Sequence, residues 1–389
     1  MAKLGEVCDI LNGYAFKSNQ YTTSGVRIIR ISNVQKGYIE DKSPVYYPCD
    51  DENVKKYELK QNDLLISLTG NVGRTALLEE KFLPAALNQR VSCVRLKEPD
   101  KVLKTYLFHL LNSDYFEQQC MKAAEGVAQK NLSPKWLFEY KIPIYSIERQ
   151  KEISNTLDKI DLLIILRKQQ LAKLDELIKA RFVEMFGDVL LNSMQWPEKT
   201  LERMADIVSG ITKGRKTTET DLQEVPYMAV SNVKDGYIDW TTVKTILATR
   251  QEIEQYRLMP DDILMTEGGD PDKVGRGAII KVPLKNSIHQ NHIFRVRLNE
   301  QEILPSFFAE YLRHQKAKRY FLGCAKQTTG IASINMRQLR ALPTLVPPLS
   351  LQKQFAAFVE RVDQQKQTVQ QSLEKLELLK KALMQEYFG

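Results

Sequence analysis

Ser32-Asn33-Val34-Gln35-Lys36-Gly37-Tyr38-Ile39 recurs as Ser231-Asn232-Val233-Lys234-Asp235-Gly236-Tyr237-Ile238, with six of the eight residues identical. The offset is 232 − 33 = 199, and at the same offset Leu59-Lys60-Gln61-Asn62-Asp63-Leu64-Leu65 returns as Leu258-Met259-Pro260-Asp261-Asp262-Ile263-Leu264. After a three-residue insertion the offset becomes 276 − 74 = 202. Val72-Gly73-Arg74 then matches Val274-Gly275-Arg276, and Val94-Arg95-Leu96 matches Val296-Arg297-Leu298. Phe186-Gly187 and Phe388-Gly389 close the two copies at that spacing. An offset held over so long a stretch marks a duplicated unit.

Each copy reads in two parts. The first is punctuated by Gly, Pro, Asn and Asp between short β-prone runs, among them Val26-Arg27-Ile28-Ile29-Arg30-Ile31, Ser92-Cys93-Val94-Arg95-Leu96 and His292-Ile293-Phe294-Arg295-Val296-Arg297-Leu298. Their alternation predicts half-buried strands. Helical stretches intervene, over 103–119 and 305–321. The class is α+β.

The second part is a near-heptad run. Ile153, Leu157, Ile160, Ile164, Arg167, Leu171, Leu174, Ile178, Arg181 and Met185 fall at alternating steps of four and three. So do Phe355, Val359, Val362, Lys366, Val369, Leu373, Leu376, Lys380, Leu383 and Tyr387. Such spacing lines one face of a helix, as a coiled-coil seam needs. No Pro or Gly interrupts either run, so each predicts one long helix. An exposed seam of that length is a poor solution, and antiparallel pairing of the two helices buries both. Two amphipathic helices, each buried on its own domain, are the alternative. The boundaries are 1–145 and 193–346 for the β-rich domains, 146–192 for the central helix and 347–389 for the C-terminal one.

The 389 residues are too many for one ordinary core. With 43% hydrophobic and 27% charged residues the chain reads as globular, and no apolar run is long enough to span a bilayer. The opening Met1-Ala2-Lys3-Leu4-Gly5-Glu6 lacks the pattern of a secretory signal, so a cytoplasmic location is expected. Cys8, Cys49, Cys93, Cys120 and Cys324 are scattered, odd in number and never spaced as C-x-x-C, which favours reduced thiols over disulfides or a zinc site. A formal charge of +8 favours a polyanionic partner.

The chemistry of an enzyme is hard to find. The one Pro-Pro pair, Pro347-Pro348, lies between Val346 and Leu349, not in the Asn/Asp-Pro-Pro-aromatic loop that grips a target amine. No G-x-x-x-x-G-K-[ST] phosphate cradle occurs. Pro99-Asp100 with Glu139-Tyr140-Lys141 makes only a forced nuclease pattern, and His289 with His292 has no neighbouring Cys to complete a metal site. Gly268-Gly269 and Gly275-x-Gly277 lack the strand-then-helix setting of a nucleotide fingerprint. No catalytic residue, metal ligand or cofactor is expected on this chain.

The order of motifs resembles the specificity subunit of Type I restriction-modification systems. Leu4-Gly5-Glu6-Val7-Cys8-Asp9-Ile10 with Gly13 looks like that family's "LGEV…I…G" opening, repeated as Leu201 through Ile207 with Gly210. Asn62 through Ser67 and Asp261 through Thr266 resemble its "GD[IL]L[ILM][ST]" strand. Val346-Pro347-Pro348-Leu349-Ser350-Leu351-Gln352 resembles the "PPL…Q" start of its helix. The first copy, Ile144 through Gln150, has lost both prolines. The resemblance spans the chain. It implies two target-recognition domains, held apart by an antiparallel pair of conserved helices, each reading one half of a split asymmetric DNA site. It also implies a non-catalytic role beside two adenine-methylating modification subunits and, in the restricting complex, motor-nuclease subunits. S-adenosylmethionine, ATP and magnesium would then sit on those partners. A stand-alone DNA-binding protein, a self-sufficient methyltransferase and a coiled-coil scaffold are the rival classes.

Base and phosphate contacts need Arg, Lys, Asn, Gln, Ser or Thr on loops. In the first domain these are Lys17 and Ser18; Thr69, Asn71 and Arg74; Asn88 and Arg90; and Gln129, Lys130 and Asn131. The second domain offers Lys213, Arg215, Lys216 and Thr217; Lys273 and Arg276 within 267–276; His289, Gln290 and Asn291 within 289–292; and Lys326, Gln327 and Thr328. Matched places with changed side chains suit readers of two different half-sites. Arg74 and Arg276, and the shared Ser-Asn-Val triplets, sit in settings common to both domains and so suit a fold or phosphate role.

Overall fold

The computed structural model describes residues 1–126, 130–215, 220–270, 273–328 and 331–389, with the backbone alone at 327, 328 and 331. It divides into two compact units, residues 1–169 with 370–389 and residues 170–369. Each holds one β-rich domain and half of each long helix.

In the first unit, Cys8–Asn12, Val91–Leu96, Leu64–Ser67 and Thr75–Leu77 form an antiparallel sheet in that order. A second sheet runs Tyr46–Tyr47, Val26–Ile29, Ala85–Leu87, Glu58–Leu59, with its central pair parallel. The second unit repeats the plan with Ala205–Ser209, Ile293–Leu298, Ile263–Thr266 and Gly277–Ile279. Register is kept: Leu64 faces Val94 in one copy and Ile263 faces Val296 in the other. Its second sheet is Lys244–Thr249, Leu222–Met228, Ile288–His289, again with one parallel pair.

Two expectations change. The strands Val91–Leu96 and Ile293–Leu298 are central, and four consecutive residues of each are buried, so their alternation does not mark a wet face. Arg295 is drawn into this interior and reaches Asp206. The helical stretches 103–119 and 305–321 are each two helices, Lys104–Leu111 with Asp114–Ala123 and Pro305–Arg313 with Gln315–Cys324. In the first pair Ser113 makes the break, because its hydroxyl accepts from Phe116 N and caps a new helix.

The long helices run Ile147–Phe186 and Leu349–Phe388. All twenty predicted seam positions are buried or half-buried. In the first unit Lys380 pairs with Asp161 and Lys168 with Glu377. In the second, Lys366 meets Asp175 at 2.7 Å. Numbers fall on one helix as they rise on the other, so the packing is antiparallel. The polar intrusions in the seam find partners: besides these lysines, Arg167 donates to Ser372 Oγ at 3.2 Å. Met384 and Phe388 join the first domain's core beside Tyr106, while Phe182, Phe186 and Phe355 join the second's around Phe307.

The helix starts are anchored alike. Gln150 Oε1 accepts from Leu103 N, and its Nε2 donates to Lys101 O and Tyr145 O, at 2.8–2.9 Å. Gln352 does the same with Leu304 N, Glu302 O and Pro347 O. Both glutamines are fully buried. The prolines lost from the first copy were not what held this joint.

Candidate nucleic-acid interface

Three of the segments singled out in the first domain, together with Tyr14 just ahead of the fourth, lie side by side, bound by backbone hydrogen bonds. Tyr14 N donates to Leu87 O and Gln89 N to Tyr14 O, both at 2.9 Å. Leu68 N reaches Arg90 O at 2.9 Å, Leu132 N reaches Leu68 O at 2.7 Å, and Gly70 N reaches Lys130 O at 2.9 Å. The second domain ties the same knot. Ile211 N donates to His289 O and Asn291 N to Ile211 O, while Glu267 N reaches His292 O and Ile334 N reaches Glu267 O. Gly268–Gly269 also pairs with the hairpin Lys326–Thr328 and Ile331–Ser333 as a small sheet.

The close approach explains one repeated glycine. A Cβ on Gly13 would stand 2.2 Å from Asn88 O, and one on Gly210 would stand 2.0 Å from His289 O. Only a residue without a side chain lets these strands touch there.

The predicted side chains divide by exposure. Lys17, Ser18, Asn71, Arg90, Asn131, Lys213 and Lys326 are exposed. Arg74, Lys130, Arg215, Lys273, Arg276, Gln290 and Asn291 are half-buried. Several of these are engaged: Arg74 donates to Gln35 Oε1 at 2.5 Å, Lys130 to Met121 O, and Lys273 pairs with Asp270. Arg215 grips Glu252, with Nε to Oε1 at 2.6 Å, and this holds the Glu252 carboxyl below the usual carboxylate range. Gln129, Lys216 and Thr217 lie outside the described residues, and for Gln327 and Thr328 only the backbone is described.

Three placements are corrections. Thr69 and Asn88 are buried. His289 is 0% exposed, with Nδ1 3.2 Å from Tyr256 O and Nε2 3.3 Å from Val208 O. Burial pushes its pKa down to about 4, so the ring is a neutral core group and not one that reaches into a groove. The repeat carries the signal for this: 289 − 202 = 87, and Leu87 is a core residue. His292, by contrast, is exposed and bound to Glu267, so the two histidines share no site. Among the described residues no group of three or more His, Cys, Asp or Glu is gathered as a metal would need.

The shared triplet has a fold role. Asn33 Oδ1 accepts from Arg30 N at 2.8 Å and its Nδ2 donates to Glu40 O at 2.9 Å. Asn232 repeats both bonds with Ala229 N and Asp239 O. Asp63 and Asp262, both buried, take two-pronged hydrogen bonds from Arg95 and Arg297. Sequence reasoning missed the partners Gln35 and Glu252, because neither lies near its arginine in the chain.

Among the described residues no helix is long and apolar enough to cross a membrane. The family profile described as the Type I restriction modification DNA specificity domain matches residues 1–176 and 194–378. The specificity subunit of the EcoKI Type I restriction enzyme of Escherichia coli (strain K12) is 21% identical over 386 residues, which cover 94% of this chain and 81% of that one. That of the MjaVIII enzyme of Methanocaldococcus jannaschii is 32% identical over 183 residues, 45% of this chain and 42% of the relative. The crystal structure of a Type I system S subunit from M. genitalium superimposes with a TM-score of 0.58 at 17% identity, covering 100% of this chain and 95% of that one. Duplicated sheets, paired helices and a profile matching both copies agree: the chain belongs to the Type I restriction-modification DNA specificity family, as the non-catalytic subunit that gives such an enzyme its specificity.

Proposed function

We propose that the chain reads a split, asymmetric site on double-stranded DNA, with residues 1–145 reading one half and 193–346 the other. The helical segments 146–192 and 347–389 set the unspecified gap and carry docking faces for two modification subunits and, in a restricting complex, the motor-nuclease subunits. S-adenosylmethionine, ATP and magnesium belong to those partners, and the complex works in the cytoplasm.

One observation carries this reading. The two domains hold their candidate loops on the same backbone knot yet differ in the side chains at its ties, a buried Leu68 and an exposed Arg90 against the solvent-reaching Glu267 and His292. A shared frame with changed letters suits two readers of two half-sites. Lys17, Ser18, Asn71, Arg90, Lys130 and Asn131 are the proposed contacts of the first domain. Lys213, Gln290, Asn291 and Lys326 are those of the second, with Lys216, Thr217, Gln129, Gln327 and Thr328 retained as candidates from sequence. Arg74, Arg276, Arg215 and Lys273 are assigned to phosphates, which need no base-specific geometry.

The test is co-expression with the modification subunit followed by sequencing of methylated host DNA. A motif with two short halves and a fixed gap, methylated at adenine, is expected. Exchanging residues 1–145 for those of another specificity subunit should change one half and leave the other. A complex that forms without any motif overturns the reading.

A further inference from the structure

The strand Ile263–Thr266 ends at Glu267, whose backbone is fixed on both sides by the bonds to His292 O and from Ile334 N. Glu267 Oε2 lies 2.6 Å from His292 Nδ1, with the glutamate side chain 32% and the histidine side chain 58% exposed. Among the described residues Oε1 takes no hydrogen bond, and the side chain is partly open to solvent.

The setting admits a ligand. Gly268 and Gly269 follow at once, and a Cβ on Gly269 would meet only Lys273 Cβ, at 3.5 Å. Gly268 is covered by the chain's own hairpin, where a Cβ would stand 3.0 Å from Ala332 O, so the close approach beside the carboxylate is at Gly269. The first domain fills the same two places differently: Leu68 is buried and only Arg90 is exposed. Asn33 and Asn232, which serve the fold, are by contrast the same residue in both copies.

We propose that Glu267, held in place by His292, is a specificity-determining residue of the second domain that accepts a hydrogen bond from an exocyclic amino group on a base edge. That group is the N4 amine of cytosine or the N6 amine of adenine, the two donors of the major groove. His292 is a positioning residue, because its Nδ1 fixes the carboxylate's direction. In the first domain the place of Glu267 is taken by the buried Leu68 and that of His292 by the exposed Arg90, whose guanidinium suits the acceptor edge of guanine, so the two domains offer different hydrogen-bonding characters from this joint. The inference rests on the DNA-reading function proposed above.

The test uses the complete methyltransferase complex in cells, with the methylated motif as readout. Glu267→Gln keeps the shape but replaces the acceptor pair with one acceptor and one donor. It should reduce discrimination at one base pair of one half by roughly tenfold, leaving the other half unchanged. The relaxed position, cytosine or adenine in the parent motif, identifies the amine. His292→Gln leaves the carboxylate but loosens it, and should relax that same base pair less. Arg90→Gln should alter the opposite half. An unchanged motif in Glu267→Gln overturns the inference, as does loss of all methylation together with a lowered melting temperature, which would make the pair structural. Should Glu267→Gln not accumulate, an unchanged motif in His292→Gln overturns it instead. If the parent protein itself yields no split motif, the reading above fails, and that failure is seen before any variant is made.

Discussion

The two domains use one backbone and treat their side chains in two ways. Asn33 and Asn232, Asp63 and Asp262, Gln150 and Gln352, Gly13 and Gly210 are the same residue in both copies. Each is committed to its own chain: the amides and carboxylates are bonded to backbone or arginine, and the glycines touch a carbonyl. Leu68 and Arg90 against Glu267 and His292 differ, and of these only Leu68 is buried. A duplicated domain therefore separates its requirements by itself. What repeats at these places holds the frame, and readers of different half-sites are to be sought among the exposed places that differ.

The comparison is broken hardest at the glycines. Gly210→Ala puts a Cβ 2.0 Å from His289 O, an oxygen that already accepts from Ile211 N. Neither strand can yield without opening that joint, so a loss of about 4 kcal/mol is expected in denaturant unfolding. Gly13→Ala should cost a similar amount. A loss below about 1 kcal/mol in either would show that the close approach is not required.

Next come the buried glutamines. Gln352→Ala strands Leu304 N and two carbonyls without water, and should cost about 3 kcal/mol. Gln150→Ala should match it within about 1 kcal/mol, although the first copy lacks the prolines. If the second copy, which keeps the prolines, is markedly less affected, the prolines and not the glutamine define its joint.

Much of this was legible in the sequence, and the reason is duplication. Position 289 aligned with Leu87 already argues for a buried ring, and a heptad over Ile153–Met185 already implies a partner helix. What was not legible depends on contacts far apart in the chain. Nothing near Arg74 points to Gln35, and nothing near Arg215 points to Glu252. The helix break at Ser113 was hidden because its cap is a single hydroxyl inside an otherwise helical pattern. The central strands were misjudged because alternation reports solvent only when one face is wet, and both faces here are covered.

A smaller test uses pH. Burial holds His289 at about 4 in the folded chain against 6.5 for a free ring, with the guanidinium of Arg295 pushing the same way. Between those values the unfolded chain binds a proton that the folded chain refuses. The histidine's stability contribution is therefore whole above 6.5 and is lost as pH falls toward 4, by about 3 kcal/mol at most. His289→Leu, which installs the first domain's residue, should remove that part of the slope when unfolding is followed from pH 7 to 4. Burial also lowers His109, which lies against Asp158, but it is unchanged in the variant and cancels in the difference. Identical slopes for parent and variant would place a proton on the buried ring.

The smallest effect tests a joint whose charges are reversed in sign between the copies. The turn at Lys36 meets the helix Asp114–Ala123 through Asp114 at 2.5 Å and Glu117 at 2.7 Å. In the second domain Asp235 takes the place of Lys36 and meets Arg313 at 3.9 Å and Lys318 at 3.5 Å. Both turns are also held by a backbone bond, Gly37 N to Thr75 O and Gly236 N to Gly277 O. The charges therefore add to a contact that exists without them, and exposure screens them. Lys36→Glu should cost about 1 kcal/mol, less in high salt, and Asp235→Lys should cost less because its partners stand farther away. Adding Glu117→Lys to Lys36→Glu should restore part of the loss, since it rebuilds in the first domain the polarity the second already uses. A double variant less stable than the sum of its parts would mean that the turn recognises its helix by shape alone, and that the reversal of sign between the copies has no bearing on the joint.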